Sequence, residues 1–300
     1  DSGKPSDAFH QRTTTVSIGD DIHINDQWSV LAGVSNSRII YENWDINGNK
    51  TSDYDEHDLT PTASVLFKPV ESVTTYISYM ESLEQGGVAG TTFGALDVVN
   101  TSEVMEPLIS EQVELGVKAN VNDMLITAAL FEIDKPFEYY KTLNSTEAEF
   151  VQDGRQVHRG LELTATGNIT DRLTLIAGAT WLDATVKNNE ASPELEGKRP
   201  IDAAKQLAKL YAEYDTPWVD NLTLSGAVIY TGKRYGDTLN TDKLDAYTLV
   251  NMGARYSTDL FGTPTTFRFN INNVMDEHYW ANRLYLGEPR TFVLSANVQF

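Results

Sequence analysis

Apolar and polar residues alternate with a period of two in several separate segments of the chain. The segments 161–166, 173–181, 267–272 and 292–300 place aliphatic or aromatic residues at every second position. Because successive side chains of a β-strand point to opposite faces, each segment predicts a strand with one apolar face. Polar residues typical of turns separate the segments, and the whole pattern indicates an all-β fold.

The connections between the predicted strands alternate between short and long. Bacterial outer-membrane barrels have short turns at one end and long loops at the other, whereas a soluble β-sandwich has connections of about 4–6 residues at both ends. The alternation therefore favours an antiparallel transmembrane β-barrel built as a meander. Short turns are predicted at 25–27, 68–72, 120–123, 167–171, 216–220 and 262–264, and longer polar connections at 43–58, 83–108, 136–156, 186–200, 232–244 and 276–290.

The predicted meander has about thirteen strands, each near the 9–11 residues that a tilted membrane strand needs. Bacterial single-chain barrels have even strand numbers, because an odd antiparallel meander cannot close on itself with an antiparallel pair. We therefore expect residues 1–300 to be the C-terminal portion of a larger barrel, with the other strands on the N-terminal side. Residues 1–5 lack the features of a signal peptide, which fits a mature or truncated chain.

The segment 201–214 is ambiguous when its residues are taken alone. It is rich in Ala, Lys and Leu, and Ile201, Ala204, Leu207 and Tyr211 follow helical spacing,. Its position between a long connection and a short turn requires a strand instead. We expect a strand here.

Composition narrows the class of function. The formal net charge of -20 disfavours nucleic acid as a partner and disfavours docking on an anionic membrane surface,. The mean hydropathy is -0.33, and the absence of any run of about 18 apolar residues argues against a transmembrane helix. The chain has no cysteine, and its five histidines show no metal-ligand spacing,. No catalytic or phosphate-binding motif occurs, so we expect neither an enzyme nor a resident cofactor.

Five stretches resemble, in order, the barrel of TonB-dependent siderophore receptors. The resemblance covers most of the chain after residue 59, and it also favours a strand at 201–214. The Y-x-G-E-P-R element points to the siderophore branch of the family over the cobalamin or sugar branches. The stretches are 59–85 with Y-x-S-Y, 105–119 with E-x-G-x-K, 154–184 with R-G-x-E, 196–215 with G-K-x-P, and 270–300 with N-I-N-N-V-M-D-E-x-Y-W, Y-L-G-E-P-R and a terminal Phe300.

The resemblance implies a barrel of about 22 strands that is filled by an N-terminal plug domain. It implies a location in the bacterial outer membrane, in contact with its lipid, and uptake of a ferric siderophore with energy from the TonB complex. Residues 1–300 contain neither the plug nor a TonB-contacting segment, so this chain alone is expected not to transport. The terminal Phe300 resembles the signal that the outer-membrane assembly machinery reads.

The ligand candidates are aromatic and basic residues near strand ends and in the long connections. Tyr and Trp offer rigid contact area with a polar group, and Arg meets an anionic chelate. The alternative interpretation of the same residues is an aromatic girdle or packing within the loops. The siderophore fills the coordination sphere of iron, so no metal ligand is expected. The candidates are Tyr41, Trp44, Tyr54, Phe93, Tyr139, Tyr140, Tyr235, Tyr279, Trp280, Arg283 and Tyr285.

The acidic stretch from Asp45 to Glu56 superficially resembles a calcium-binding loop. An EF-hand loop needs Gly at its sixth position, where this chain has Lys50, and it needs flanking helices. An acidic external loop is therefore expected, with Asp53, Asp55 and Glu56 as remaining calcium candidates.

Other functions stay open from the sequence. A passive porin or an adhesin barrel has the same architecture, and a TonB-dependent receptor for cobalamin or an oligosaccharide has the same family features. A soluble β-sandwich binding module is the less favoured alternative from another class. Solubility distinguishes it, because lipid-facing strands require detergent.

Overall fold

The computed structural model describes residues 9–45, 47–187 and 193–299, apart from the side chains of residues 51 and 52. Phe300, and with it the expected assembly signal, lies outside the described residues. In the described part, no helix is long and apolar enough to span a membrane, and one turn of 3₁₀ helix occurs at Pro193–Leu195. The strands are β1 (Phe9–His23), β2 (Trp28–Trp44), β3 (Lys50–Val70), β4 (Val73–Glu84), β5 (Thr92–Phe93), β6 (Leu96–Val98), β7 (Leu108–Val121), β8 (Met124–Thr142), β9 (Glu147–Thr170), β10 (Leu173–Lys187), β11 (Gln206–Asp215), β12 (Leu222–Thr231), β13 (Arg234–Tyr235), β14 (Lys243–Leu244), β15 (Tyr247–Leu260), β16 (Thr263–Asn272) and β17 (Thr291–Val298).

Thirteen of these strands form one antiparallel meander, in the order β1-β2-β3-β4-β7-β8-β9-β10-β11-β12-β15-β16-β17. Each strand of the meander pairs with the next one along the chain. The short strands β5 and β6 form a hairpin whose second strand joins β9 in parallel, and β13 pairs with β14. The all-β fold and the thirteen-stranded meander are confirmed. The sheet is open across the described residues, with β1 and β17 at its two edges.

One face of the meander carries an exposed apolar band. Leu115 and Leu130 lie opposite each other on β7 and β8, and they are 56% and 57% exposed. Each such side chain is less stable in water than in an apolar medium by about 1.5–3 kcal/mol, so this face is suited to lipid. The alternate residues include Glu213 and Arg255, which pair at 3.1 Å. We therefore assign the polar face to the lumen of a barrel.

The segment 201–214 forms a strand over most of its length, as expected. β11 is paired with β10 on one side and with β12 on the other. Leu210 lies opposite Ala177 and Val228 on the apolar face, and Tyr211 points to the polar face. Helix propensity differs by less than about 1 kcal/mol per residue among ordinary side chains. Hydrogen bonds to two neighbouring strands outweigh that preference.

Nine of the thirteen strands of the meander are longer than the 9–11 residues expected, and the lengths range from 8 in β17 to 24 in β9. The connections expected at 43–58 and 136–156 are wrong, because β2 joins β3 through a turn at 45–49 and β8 joins β9 through 143–146. These hairpins extend past the apolar band, where apolar or aromatic and polar residues occur on both faces, so the alternation that identifies a strand disappears. The expected short turns are confirmed. They lie at one end of the sheet, the turn end, and the long connections and extended hairpins lie at the other, the loop end.

Candidate ligand-binding site at the loop end of the sheet

Two clusters of side chains order the connections at the loop end. The aromatic cluster comprises the connection 85–107, the tip of the β8–β9 hairpin at 137–154, and β3 at Tyr54. The arginine cluster comprises the connections 193–205, 232–246 and 273–290. Of the ligand candidates, Tyr54, Phe93, Tyr139 and Tyr140 lie in the aromatic cluster, Tyr235, Tyr279, Trp280, Arg283 and Tyr285 lie in the arginine cluster, and Tyr41 and Trp44 lie on the β2–β3 hairpin.

Tyrosine hydroxyls in the aromatic cluster hold the backbone of the connection 85–107. The Tyr54 hydroxyl accepts a hydrogen bond from the N–H of Gly86 at 3.0 Å, and the Tyr140 hydroxyl accepts one from Gly90 at 3.1 Å. Tyr54 is fully buried, and burial raises the pKa of its hydroxyl. Both hydroxyls are therefore engaged by the chain itself.

Ring packing and strand pairing close the same cluster. The Tyr140 ring stacks on Phe93 with 4.8 Å between centroids and packs at a tilt against Phe150 at 4.7 Å. Tyr139 is 8% exposed, and its hydroxyl donates to Asp153 Oδ1 at 2.6 Å. The pairing of β6 with β9 joins the connection to the wall of the sheet.

The connection 85–107 approaches its neighbours so closely that Gly86 has no room for a side chain. A Cβ at this position would lie 2.2 Å from the carbonyl oxygen of Glu106 and 2.6 Å from that of Met105. The next N–H, that of Gly87, donates to the Glu138 carboxylate at 2.9 Å. The aromatic cluster is thus a closed unit in which four ligand candidates take part in packing.

The other two aromatic candidates lie on the extended β2–β3 hairpin. Tyr41 lies directly opposite Tyr54 across the two strands, and its ring stacks on Phe9 of β1 at 6.0 Å. Trp44 ends β2 opposite Lys50. Tyr41 is therefore joined to the aromatic cluster through Tyr54, and Trp44 marks the tip of the hairpin.

The stretch that resembles a calcium loop spans the connection between β2 and β3 and the first residues of β3. The Asp45 carboxylate accepts the backbone N–H groups of Asn47 and Asn49, both at 2.8 Å, and the hydrogen bonds from Asn49 hold the pKa of Asp45 below its usual range. Asp55 forms a two-hydrogen-bond ion pair with Arg38. In the described ranges, no group of three or more acidic or histidine residues that could hold a metal ion is found.

Arg234 lies at the centre of the arginine cluster and is only 3% exposed. Its Nε donates to Asp202 Oδ1 at 3.3 Å, and its Nη2 donates to the carbonyl oxygens of Trp280 and, at 2.8 Å, Ala281. Its guanidinium carbon lies 5.4 Å from the centroid of the Tyr247 ring. A buried charge is unfavourable unless it is paired and hydrogen-bonded. This one arginine therefore ties three connections together.

Several sequence-predicted residues surround Arg234. The Tyr279 ring packs against Tyr247 at 4.2 Å, and burial raises the pKa of Tyr279. Asp202 donates its backbone N–H to the carbonyl oxygen of Tyr235 at 2.9 Å, and its carboxylate accepts the N–H of Arg283 at 3.5 Å. The structure therefore brings Tyr235, Tyr279 and Arg283 together.

The remaining two candidates lie on the surface of the connection 273–290. Trp280 forms an isolated bridge with Leu286, and its side chain is 48% exposed. Tyr285 is 66% exposed. Both side chains are accessible for contact with a ligand.

A cavity of about 280 Å³ opens beside Arg199, in the same cluster. The amide of Asn240 clamps the backbone of Arg199, accepting its N–H at 2.8 Å and donating to its carbonyl oxygen at 2.9 Å. The guanidinium carbon lies 5.8 Å from the centroid of the Tyr235 ring. Phe137, Gln156 and Val186 reach the cavity from polar-face positions of their strands, by the alternation along β8, β9 and β10. The cavity is lined by Phe137, Gln156, Val186, Leu195, Arg199, Pro200, Ile201 and Thr238.

Hydrogen-bond donors without an acceptor distinguish the arginine cluster. Among the described residues, three buried side-chain polar atoms lack a partner: Ser110 Oγ, Arg199 Nε and Arg234 Nη1. Two of these three atoms belong to guanidinium groups of the arginine cluster. Neither arginine was among the candidates predicted from sequence. The tripeptide Gly-Lys-Arg, which occurs at 197–199 and again at 232–234, is the signal that marks them.

Residues 1–274 match the family model described as TonB dependent receptor-like, beta-barrel. The ferrichrome receptor FcuA of Yersinia enterocolitica is 30% identical over 308 residues, covering 100% of this chain and 40% of that protein. The ferrioxamine B receptor of Salmonella typhimurium is 27% identical over 293 residues, covering 92% of this chain and 39% of that protein. The chain thus spans about two fifths of the length of these relatives.

Solved structures show the same architecture. The ferric preacinetobactin receptor BauA of Acinetobacter baumannii has a TM-score of 0.78 and 30% sequence identity, with 97% of this chain and 44% of that chain covered. The siderophore receptor PiuA of the same species has a TM-score of 0.75 and 25% identity, with 96% of this chain and 43% of that chain covered. Similarity in both sequence and backbone extends over almost all of the chain.

Proposed function

Since the chain belongs to the TonB-dependent receptor β-barrel family of the Gram-negative outer membrane, we propose that it is part of a receptor that takes up ferric siderophores with energy supplied through TonB. The relatives named for ferrichrome, ferrioxamine B and preacinetobactin support this substrate class. The structural observation that carries the proposal is the cavity beside Arg199, which opens on the lumen side at the loop end. A small chelate that enters a barrel from outside meets this end first.

We propose that residues 1–300 are the C-terminal portion of a barrel of about 22 strands, with a plug domain elsewhere in the full-length protein. The edges at β1 and β17, each paired on one side only in the described residues, support a larger sheet, as does the length of the relatives. In this arrangement TonB acts through the plug. The apolar band of the strands contacts outer-membrane lipid, and the loop end faces the outside of the cell.

Ligand contact is proposed for Tyr235, Tyr279, Trp280, Arg283 and Tyr285 of the arginine cluster. For the remaining candidates, Tyr41, Trp44, Tyr54, Phe93, Tyr139 and Tyr140, we propose that they order the external connections. The ferric chelate is cargo rather than a cofactor, and the receptor performs no catalysis. A formal net charge of -20 also disfavours nucleic acid as a partner,.

Tryptophan fluorescence of the full-length receptor in detergent tests this function. We expect one ferric siderophore to change the emission saturably at submicromolar concentration, while its iron-free form does not. Trp280→Phe should remove much of the change, whereas Trp181→Phe, on the lipid-facing side of β10, should leave it intact. No response to any ferric chelate would contradict the proposal. Cobalamin and oligosaccharides belong in the same panel, because a response to either would assign the receptor to a non-iron substrate.

A further inference from the structure

The buried guanidinium N–H groups of the arginine cluster lie at the same end of the sheet as the acidic connection 85–107. Residues 85–107 contain Asp97, Glu103 and Glu106 but no Lys or Arg. In the adjoining wall, Lys135 is paired with Glu84 at 2.5 Å. A strongly anionic ligand therefore meets repulsion from the connection 85–107, and a donor buried at Arg199 has no acceptor in the described chain.

We propose that the cavity beside Arg199 is a subsite that receives one arm of the iron chelate through an oxygen acceptor, and that it selects chelates of low net charge. The inference rests on the proposed function and adds to it a contact group, the Arg199 guanidinium, and a chemical class. Trihydroxamate complexes, which are neutral or cationic, belong to that class. Tricatecholate complexes, which are trianionic, do not.

The first step is the state of the donor. Arg199 Nε is buried and has no hydrogen-bond partner among the described residues. A buried donor without an acceptor costs about 1–3 kcal/mol, and more when it is charged. A ligand oxygen that approaches the Arg199 guanidinium from the cavity removes that cost once a small shift of the side chain opens Nε. The unpaired donor therefore destabilises the unoccupied site, and binding of a ligand oxygen relieves that cost.

The second step is the rigidity of the donor. The Asn240 amide holds both backbone polar groups of Arg199, and the Tyr235 ring lies beside its guanidinium. Arg234 fixes the neighbouring connections through Asp202, which is itself hydrogen-bonded to Tyr235. The residues around the cavity therefore lose little conformational freedom when a ligand binds, and preorganisation of this kind raises affinity.

The third step is the chemistry of the walls. Phe137, Val186, Leu195, Pro200 and Ile201 supply an apolar lining, and Gln156 and Thr238 add two uncharged polar groups. This lining fits an aliphatic or ring-bearing arm that ends in an oxygen atom. Among the described residues that line the cavity, Arg199 is the one that is charged, so it offsets at most one negative charge. A trianionic chelate would keep two charges without a partner here.

Equilibrium binding to the full-length receptor in detergent tests the subsite. The probes are ferric desferrioxamine B, a trihydroxamate complex, and ferric enterobactin, a tricatecholate complex. We expect the trihydroxamate to bind wild type more tightly. Arg199→Gln should weaken it by about tenfold to a hundredfold, the size of one charge-assisted hydrogen bond. Arg172→Gln, an exposed arginine in a turn at the opposite end of the sheet, is the matched control and should bind like wild type.

Gln156→Glu provides a second variant that is almost isosteric and keeps the backbone pairing of β9. It places a carboxylate in the cavity where the ligand oxygen is expected, so it should weaken the trihydroxamate by a similar factor. Heat-modifiable migration in electrophoresis verifies that each variant is a folded barrel. Wild-type affinity in both Arg199→Gln and Gln156→Glu would overturn the subsite, and preferred binding of the tricatecholate would overturn the charge selection. Failure of wild type to bind any ferric chelate would instead overturn the proposed function.

Discussion

The aromatic and arginine clusters occupy the same end of the sheet but satisfy their polar groups differently. In the aromatic cluster the hydroxyls of Tyr54 and Tyr140 receive backbone N–H groups of the connection 85–107. In the arginine cluster Arg199 and Arg234 each keep a buried N–H that has no acceptor in the described part of the chain. Buried polar groups are nearly always paired in native structures, so the exceptions indicate where a further group is expected. Aromatic composition alone does not separate a ligand site from a packed loop.

The clusters also differ in how they are fastened. The connection 85–107 is joined to the wall of the sheet by the pairing of β6 with β9 and by several separate hydrogen bonds. The three connections of the arginine cluster also have hydrogen bonds between them, but all three meet at one buried guanidinium, that of Arg234. Loss of this one group should therefore loosen the arginine cluster more than loss of any one contact loosens the aromatic cluster.

The largest effect is expected from Arg234→Gln. Removing the guanidinium leaves the Asp202 carboxylate and two carbonyl groups without their donor, and breaking such a buried pair costs about 3 kcal/mol. Amide exchange in 232–246 and 273–290 should become roughly a hundredfold faster, while the strands keep their protection. Arg283→Gln is the matched control, because that side chain is exposed. Unchanged exchange in Arg234→Gln would mean that other contacts fasten these connections.

A smaller effect, confined to the aromatic cluster, is expected from Gly86→Ala. The added Cβ would lie 2.2 Å from the Glu106 carbonyl oxygen, and overpacking of this kind costs about 1–3 kcal/mol. Exchange in 85–107 should accelerate by about tenfold to a hundredfold with no change in the arginine cluster. Gly178→Ala serves as control, since the nearest atom to its Cβ would be 3.9 Å away. Equal responses to the two substitutions would contradict the close approach.

The sequence predicts the fold well wherever strands cross the apolar band. The alternation at 161–166 and 173–181 and the short turns place the meander correctly, because lipid on one face imposes a period of two. The extension of β8 and β9 beyond residue 136 is not predicted in this way, since aromatic and charged residues occur on both faces there. For the segment 201–214, the strand is predicted only from its position between a long connection and a short turn, because its own residues favour a helix.

The candidate site was less predictable than the fold. Composition indicates aromatic residues in the connections, but whether Tyr54 faces a ligand or a backbone N–H depends on contacts across more than 30 residues of sequence. Arg199 and Arg234 become noticeable only when the structure shows which of their N–H groups lack acceptors. The repeated Gly-Lys-Arg tripeptide marks the two arginines in the sequence, but it does not show that either one has a buried donor without an acceptor.

Tyr54→Phe separates the two roles of an aromatic residue. The substitution keeps the ring and removes the acceptor of the Gly86 N–H, which costs about 1–2 kcal/mol. We expect faster exchange at 85–90 and chelate affinity within about twofold of wild type. A tenfold loss of affinity with normal exchange would instead make Tyr54 a ligand contact, as the sequence alone suggested. Phe93→Leu, which alters a ring in the same cluster without touching a hydrogen bond, is a useful companion.

The smallest effect is a pH dependence confined to the arginine cluster. The Asp237 carboxylate accepts hydrogen bonds from the Thr241 hydroxyl at 2.7 Å and from the N–H groups of Thr241 and Asp242 at 2.8 Å. The hydrogen bond from the Thr241 hydroxyl is the main cause that holds the pKa of Asp237 below its usual range. Folding lowers the pKa of Asp237. The ionised carboxylate therefore stabilises the connection at pH values above its unfolded-state pKa, which is near 4. That stability is lost as the pH falls through the lower, folded value.

Exchange at 237–243, corrected for intrinsic rates, should therefore rise slightly when the pH falls from 5 to 3. The pairing of β6 with β9 uses backbone groups that do not titrate in this range, so its protection provides the internal reference. Asp237→Asn removes the titrating group and should abolish the pH dependence at 237–243 while leaving the reference unchanged. A pH response that persists in this variant would assign it to another carboxylate, and the contrast between the clusters would then rest on Arg199 and Arg234 alone.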